Sequence, residues 1–183
     1  MTLTSADARL KGRAVKRVAF DEHQIAERVS ALGREITAAY PDGGLLVLSL
    51  LKGSFMFTAD LVRTIQRPLQ LDFIVAASYG AGTVSSGNVR LLYDPETNIE
   101  GQDVLLVEDI VDSGRTLQKL VQLLSTRGPR SIRICTLLHK HIAEHLDHPV
   151  DFIGFEAPNE FLVGYGLDHA GDFRHLPYVA SLA

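Results

Sequence analysis

The chain has 183 residues, enough for one domain, 1–183, with a substantial core. Its 46% hydrophobic and 22% charged content is ordinary globular composition, and no apolar run approaches the roughly 18 residues of a membrane span. A formal charge of -4 argues against nucleic acid as the main partner, and a lone cysteine, Cys135, rules out an intrachain disulfide and fits a reducing, cytoplasmic setting.

The opening "MTLTSADARLKGRAVKR" lacks the apolar stretch of a secretory signal and reads as a ragged terminus. In "FDEHQIAERVSALGREITAAY" an Asp precedes apolar residues at Ile25, Val29, Leu32 and Ile36, a helical spacing. "PDGG" stops that helix, and "LLVLSLL" follows as a strand buried on both faces. "GSFMFTADLVRTI" reads as a helix and "LQLDFIVAASY" as a strand. "GAGTVSSGN" is small and polar, as a mobile loop would be. "VRLLYD" and "DVLLVEDI" are strands, and "GRTLQKLVQLLSTRG" is a helix with Leu117, Leu120, Val121 and Leu124 on one face. "RSIRICTLLHK" and "VDFIGFE" are further strands, with Cys135 a buried structural thiol in the first.

Strands alternating with helices predict an α/β fold, a mostly parallel twisted sheet with helices on both faces. Ligands of such sheets bind beyond the carboxyl ends of the strands. Lys52, Glu108, Asp109 and Lys140 each stand at such an end, after an apolar run.

The most informative stretch is "VLLVEDIVDSGRTL". Two adjacent carboxylates at a strand mouth repel each other and need a cation or hydroxyls. The turn Asp112-Ser113-Gly114-Arg115-Thr116 then opens a helix, whose free N–H groups and partial positive charge suit a phosphate. A ligand with a phosphate at one end and a diol or metal at the other, such as a ribose 5-phosphate, fits both features. A solvated, capped helix start is the plainer alternative.

This stretch resembles the phosphoribosyl pyrophosphate (PRPP) motif of the type I phosphoribosyltransferases. "LLKGSFMFTADLVR", "ASYGAGTVSSGNVR", "CTLLHK" and "VDFIGFEAPNEFLVGYGLDHAGDFRHLPYV" are similar, in order and spacing, to the hypoxanthine-guanine phosphoribosyltransferases. The resemblance implies that family's fold, with a small hood built from N- and C-terminal segments. It also implies a purine-salvage reaction: the 5-phosphoribosyl group passes from PRPP to N9 of a 6-oxopurine, releasing pyrophosphate, with Mg2+ as cofactor. The family suggests a homodimer or homotetramer.

Residue by residue, the resemblance implies that Glu108 and Asp109 face the ribose hydroxyls and a Mg2+ ion. Asp112 is then the general base near the purine N7, and Lys140 donates to O6. Ser113, Gly114, Arg115 and Thr116 hold the 5-phosphate, and Ile110 and Val111 of the same segment are substrate-binding as well. Lys52 and Gly53 form the pyrophosphate loop, where the family has an unusual peptide geometry between the residues matching Leu51 and Lys52. Ser78 and Tyr79 begin a loop that closes over the reacting centre. Phe161 stacks on the base and Leu162 contacts its edge through the backbone. Asp168 lies near a second metal position and pyrophosphate, and Arg174 reaches the pyrophosphate.

Ala157, Asn159 and His169 depart from the family's pattern around the base pocket rather than at its named contacts. A transferase for xanthine or uracil, or a non-catalytic nucleotide-binding regulator on the same fold, are the competing readings. His141 and His145 share a helical spacing but lack a third ligand, so a solvated helix face is expected there rather than a zinc site.

Overall fold

A computed structural model describes residues 8–10, 12–78, 89–141 and 147–183. After a short 3-10 turn at Ala8–Leu10, the elements are β1 (Val15–Phe20), α1 (Glu22–Ala39), β2 (Leu45–Leu51), α2 (Phe55–Val62), β3 (Leu69–Ser78) and β4 (Val89–Tyr93). They continue as β5 (Asp103–Val111), α3 (Arg115–Ser125), β6 (Ser131–Lys140), β7 (Phe152–Ala157), β8 (Leu162–Val163) and β9 (Val179–Leu182). Six strands form the main sheet in the order β4-β3-β2-β5-β6-β7. Within it β2, β3, β5, β6 and β7 run parallel, and β4 pairs antiparallel at the edge.

The sheet is two-sided because side chains alternate along each strand. Leu45 and Val47 of β2, with Leu105 and Val107 of β5, pack against α1 and α2 through Ile25, Val29, Leu32, Phe57 and Leu61. Leu46, Leu48 and Leu50, with Val104 and Leu106, pack against α3 through Leu117, Leu120, Val121 and Leu124. Each fully buried side chain of this kind contributes about 1.5–3 kcal/mol. Helix α1 begins as its sequence dictates. The Asp21 carboxylate accepts from Gln24 N at 2.9 Å, and the Gln24 side chain accepts from Asp21 N at 3.0 Å.

A second, three-stranded sheet of order β1-β9-β8 forms the hood, from the two ends of the chain. Its own core holds Leu10, Val15, Val163, Phe173, Leu176, Tyr178 and Ala180. The end of the stretch expected to be ragged is ordered from Val15 on, where β1 pairs antiparallel with β9, Val18 opposite Ala180 and Phe20 opposite Val179, while residues 1–7 lie outside the described residues. Most of β1 is exposed or half-buried, so it carries no strong apolar alternation, and its order comes from a partner more than 150 residues away. Helix α2 is also shorter than its apolar pattern suggests, because residues 52–54 are spent on a turn. Among the described residues no helix is long and apolar enough to cross a membrane.

Candidate active site

The carboxyl ends of β2, β5 and β6 lie side by side, and this register gathers the polar residues. Strand β2 runs beside β5 with Ser49 opposite Val107, so the turn after Leu51 meets the acids that follow Val107. Strand β6 runs on the other side of β5, with Val111 opposite His139, which brings Lys140 level with Asp112.

Lys140 Nζ donates to Asp112 Oδ2 at 3.1 Å. The lysine residue is only 8% exposed, so this partner is what makes its burial tolerable, whereas the Asp112 carboxylate stays open to solvent. Both line a cavity of about 220 Å³ with Asp109, Ile110, Glu160, Phe161, Leu162, Leu167 and Asp168. Leu162 is buried while Phe161 is 60% exposed, its ring left on the open side. A cavity of about 150 Å³ adjoins the first through Ile110 and Asp112 and is lined by Glu108, Val111, Ser113, Gly114, Arg115, Thr116 and Leu117. Here Gly114 sits at the start of α3 with φ 75°, a left-handed conformation that favours glycine, and no side chain caps the helix. The N-terminal turn of α3 thus lines the smaller cavity, and a helix N-terminus favours an anion.

Between these features stand the paired acids. Burial is the main cause that pushes the Glu108 carboxyl well above its usual range, and the neighbouring Asp109 charge adds to it. Burial also raises Asp109, against the opposing pull of hydrogen bonds and of Arg174. Glu108 Oε2 is sealed from solvent without a hydrogen-bond partner among the described residues. An acid pair held this way fits a cation or a set of hydroxyl donors, which would satisfy the orphaned oxygen. Among the described residues no three acids, histidines or cysteines converge as a self-sufficient metal cage. A cation at Glu108 and Asp109, or near Asp168, would complete its shell with ligand oxygens and water, a habit of Mg2+.

The turn after β2 presses against these acids. The Leu51–Lys52 peptide is cis. A Cβ placed on Gly53 would lie 1.6 Å from Asp109 Oδ2, and one placed on Gly166 would lie 2.0 Å from the Gly53 carbonyl oxygen. The Asp109 carboxylate, Gly53 and Gly166 therefore stack with no room for a side chain at either glycine. Arg174 braces the outer layer: Nη1 donates to Gly166 O at 2.6 Å, and Nη2 pairs with Asp168 Oδ1 at 2.6 Å. The other Asp168 oxygen accepts from Gly171 N at 2.7 Å. Lys52 is exposed at the rim.

The structure thus brings together Lys52, Gly53, Glu108, Asp109, Ile110, Val111, Asp112, Ser113, Gly114, Arg115, Thr116, Lys140, Phe161, Leu162, Asp168 and Arg174 along one edge of the sheet and under the hood. Ser78 ends β3, but its side chain, Tyr79, the glycine-serine loop after it and His145 lie outside the described residues. His141 is exposed, with Nδ1 3.7 Å from Glu156 Oε2. Cys135 is a buried free thiol, raised by that burial, in agreement with its structural reading.

Two supports were not anticipated. Ser49, Ser54 and Thr58 form a buried hydroxyl cluster beneath the Lys52 turn: Ser49 Oγ lies 2.8 Å from both Ser54 Oγ and Thr58 Oγ1, and Ser54 Oγ donates to Leu50 O at 2.7 Å. Three hydroxyls within the apolar "LSLLKGSFMFT" were the available signal. Gly166 is the other, and its sign was the paired glycines of "VGYGLD".

Comparison with known proteins decides what this edge belongs to. Residues 19–170 match the model of the phosphoribosyl transferase domain. The hypoxanthine phosphoribosyltransferase of Salmonella typhimurium is 48% identical over 167 residues, covering 90% of this chain and 94% of that one. The hypoxanthine-guanine phosphoribosyltransferase of Dictyostelium discoideum is 49% identical over 171 residues, covering 91% and 95%. The chain belongs to the hypoxanthine-guanine phosphoribosyltransferase family.

A crystal structure of such an enzyme from Bacillus anthracis superposes with a TM-score of 0.88 at 41% identity, covering 92% of this chain and all but 1% of that one. The mostly parallel sheet flanked by helices is the type I phosphoribosyltransferase fold. The chain is accordingly a phosphoribosyltransferase enzyme of purine salvage. Enzymes of this family generally need a divalent metal and bind PRPP and purine bases.

Proposed function

We propose that this phosphoribosyltransferase acts as a single domain over 1–183, in the cytoplasm, and transfers the 5-phosphoribosyl group of PRPP to N9 of hypoxanthine, guanine or both, giving IMP or GMP and pyrophosphate. The observation that carries the choice of base is the buried Lys140 paired with Asp112 beside Phe161 and Leu162. A 6-oxopurine presents O6 and N7 as adjacent acceptors on one edge, so a cation and a carboxylate side by side match it.

In this reading the N9–C1 bond forms as the bond from C1 to the pyrophosphate oxygen breaks, through a sugar with oxocarbenium character. Asp112 takes the proton that the base loses at N7, and Lys140 stabilises the charge drawn towards O6. Phe161 stacks on the purine, and the backbone at Leu162 holds its edge. The ribose hydroxyls meet Glu108 and Asp109, while residues 113–116 hold the 5-phosphate largely through backbone N–H groups. Lys52, Gly53, Asp168 and Arg174 bind and orient the departing pyrophosphate. A bound Mg2+, held by Glu108 and Asp109 and near Asp168, would offset the negative charge of the pyrophosphate. Ser78 and Tyr79 would begin the segment that excludes water during transfer.

A homodimer or homotetramer is part of the same proposal, and the single buried thiol suits a reducing cytoplasm. The test is nucleotide formation from PRPP and Mg2+ with guanine, hypoxanthine, xanthine, adenine and uracil in parallel. Product from one or both of the first two is expected. Turnover of uracil or xanthine alone, or none with PRPP still bound, would overturn the choice of base or the enzyme reading itself.

A further inference from the structure

Phe161 is a large apolar ring that is 60% exposed at the rim of the cavity holding Asp112 and Lys140. A side chain so open has rotamer freedom, and a ring that must lie flat on a base binds better if that freedom has already been removed. Among the described residues one ring restrains it. The His169 imidazole stands perpendicular to the Phe161 ring, with centroids 5.3 Å apart and planes at 85°. That is a favourable geometry for two aromatic rings.

His169 is itself fixed. Its N–H donates to Asp172 O at 3.2 Å, and its carbonyl accepts from Asp172 N at 3.0 Å. The turn that carries it is closed by residues in left-handed conformations, Ala170 at φ 52° and Gly171 at φ 88°. We infer that His169 is a positioning residue for base binding, holding the Phe161 ring at the angle the purine meets. This rests on the proposed 6-oxopurine reading of the site.

The geometry also says what His169 should not do. The preceding residue, Asp168, is oriented by Arg174 at 2.6 Å and by Gly171 N at 2.7 Å, neither of which involves the imidazole. Removing the ring should therefore loosen the base platform and leave the pyrophosphate side intact. A merely structural role would affect both substrates.

The test compares wild type, His169→Ala and His169→Phe in steady-state kinetics with hypoxanthine, guanine and PRPP, and in equilibrium binding of IMP and GMP. For His169→Ala the base KM and the nucleotide Kd should rise about threefold to tenfold, the loss expected of one aromatic pair, with kcat and the PRPP KM within about twofold. His169→Phe should return the base KM to near the wild-type value, because a phenyl ring can make the same perpendicular contact. An unchanged base KM in His169→Ala, an equal rise for PRPP, or no recovery with Phe would each overturn the assignment. A wild type that uses no 6-oxopurine would instead remove the reading on which the inference rests, and that result comes from the wild-type arm alone.

Discussion

Gly53 and Asp109 occupy space that only glycine can share, since a Cβ at residue 53 would stand 1.6 Å from Asp109 Oδ2. The obstacle is steric: Gly53 is not among the residues at positive φ. Gly53→Ala should therefore push either the turn or the carboxylate out of place while sparing the core beneath. A misplacement of about 1 Å at a reacting centre can cost about 100-fold, so kcat/KM for PRPP should fall by that order. Steady-state kinetics beside a thermal melt separate the two effects. A large loss of Tm with unchanged kinetics of the remaining folded protein would contradict this.

The Lys140–Asp112 pair divides its labour in a way that two variants can separate. Asp112→Asn keeps size and removes the proposed proton acceptor, so kcat should drop about a hundredfold to ten-thousandfold with PRPP binding retained. Lys140→Ala removes the charged hydrogen bond proposed to the base, which should raise the base KM about tenfold or more and the PRPP KM far less. Isothermal titration of PRPP into each variant checks the retained half. Comparable loss of PRPP binding in Asp112→Asn would assign that residue to the phosphate turn instead.

The central strands and helices were legible because they obey local rules. The run Leu45–Leu51 is apolar throughout because both of its faces are covered, and α3 shows its buried stripe at helical spacing. The site was legible for a different reason: Glu108, Asp109 and Lys140 break apolar runs at the strand ends, where an unpartnered charge is costly. The strands β1, β8 and β9 were not read, since β8 is two residues long and β1 is held by pairing across nearly the whole chain. Nor could the sequence reveal that Gly166 packs on the Gly53 carbonyl, a contact made only once the hood is folded over the sheet.

At the opposite end of β5 the fold carries a pH-dependent clamp. Asp103 accepts from Arg130 Nε at 3.0 Å and from Ser131 Oγ at 2.6 Å, and Arg130 Nη2 also bonds it. The Arg130 hydrogen bonds hold its carboxyl below the usual value of 3.8 against the opposing effect of burial, with Ser131 assisting. A depressed carboxyl stabilises the fold above its unfolded pKa and loses that contribution as pH falls through the folded one. Asp103→Asn should therefore melt lower than wild type at about pH 7, and the gap should narrow as pH falls below the ordinary value of 3.8 and close below the depressed folded one. A gap that is constant with pH would mean that Asn loses packing rather than charge.

Glu108 joins stability to ligand binding with opposite signs. Its buried Oε2 lacks a hydrogen-bond partner among the described residues, and burial first, with the repulsion of the Asp109 charge second, raises its carboxyl, so keeping Glu108 ionised destabilises the ligand-free fold. Glu108→Gln removes this buried ionisable group at constant size and should raise the Tm of the ligand-free protein at about pH 7, above the ordinary carboxylate range. The same change removes an oxygen proposed for the ribose hydroxyls and Mg2+. A ligand at about 100 times its Kd stabilises the native state by about 2.7 kcal/mol, which for a chain of this size is a shift of several degrees. Wild type should show that shift with PRPP and Mg2+ together and a much smaller one when the divalent cation is chelated. In Glu108→Gln the shift should shrink even with Mg2+ present, from a higher starting Tm. Melts of both proteins, with and without PRPP, Mg2+ and chelator, measure all of these quantities. An undiminished shift in the variant would remove Glu108 from the ligand site, and a lowered starting Tm would show that its partners in the fold matter more than the repulsion.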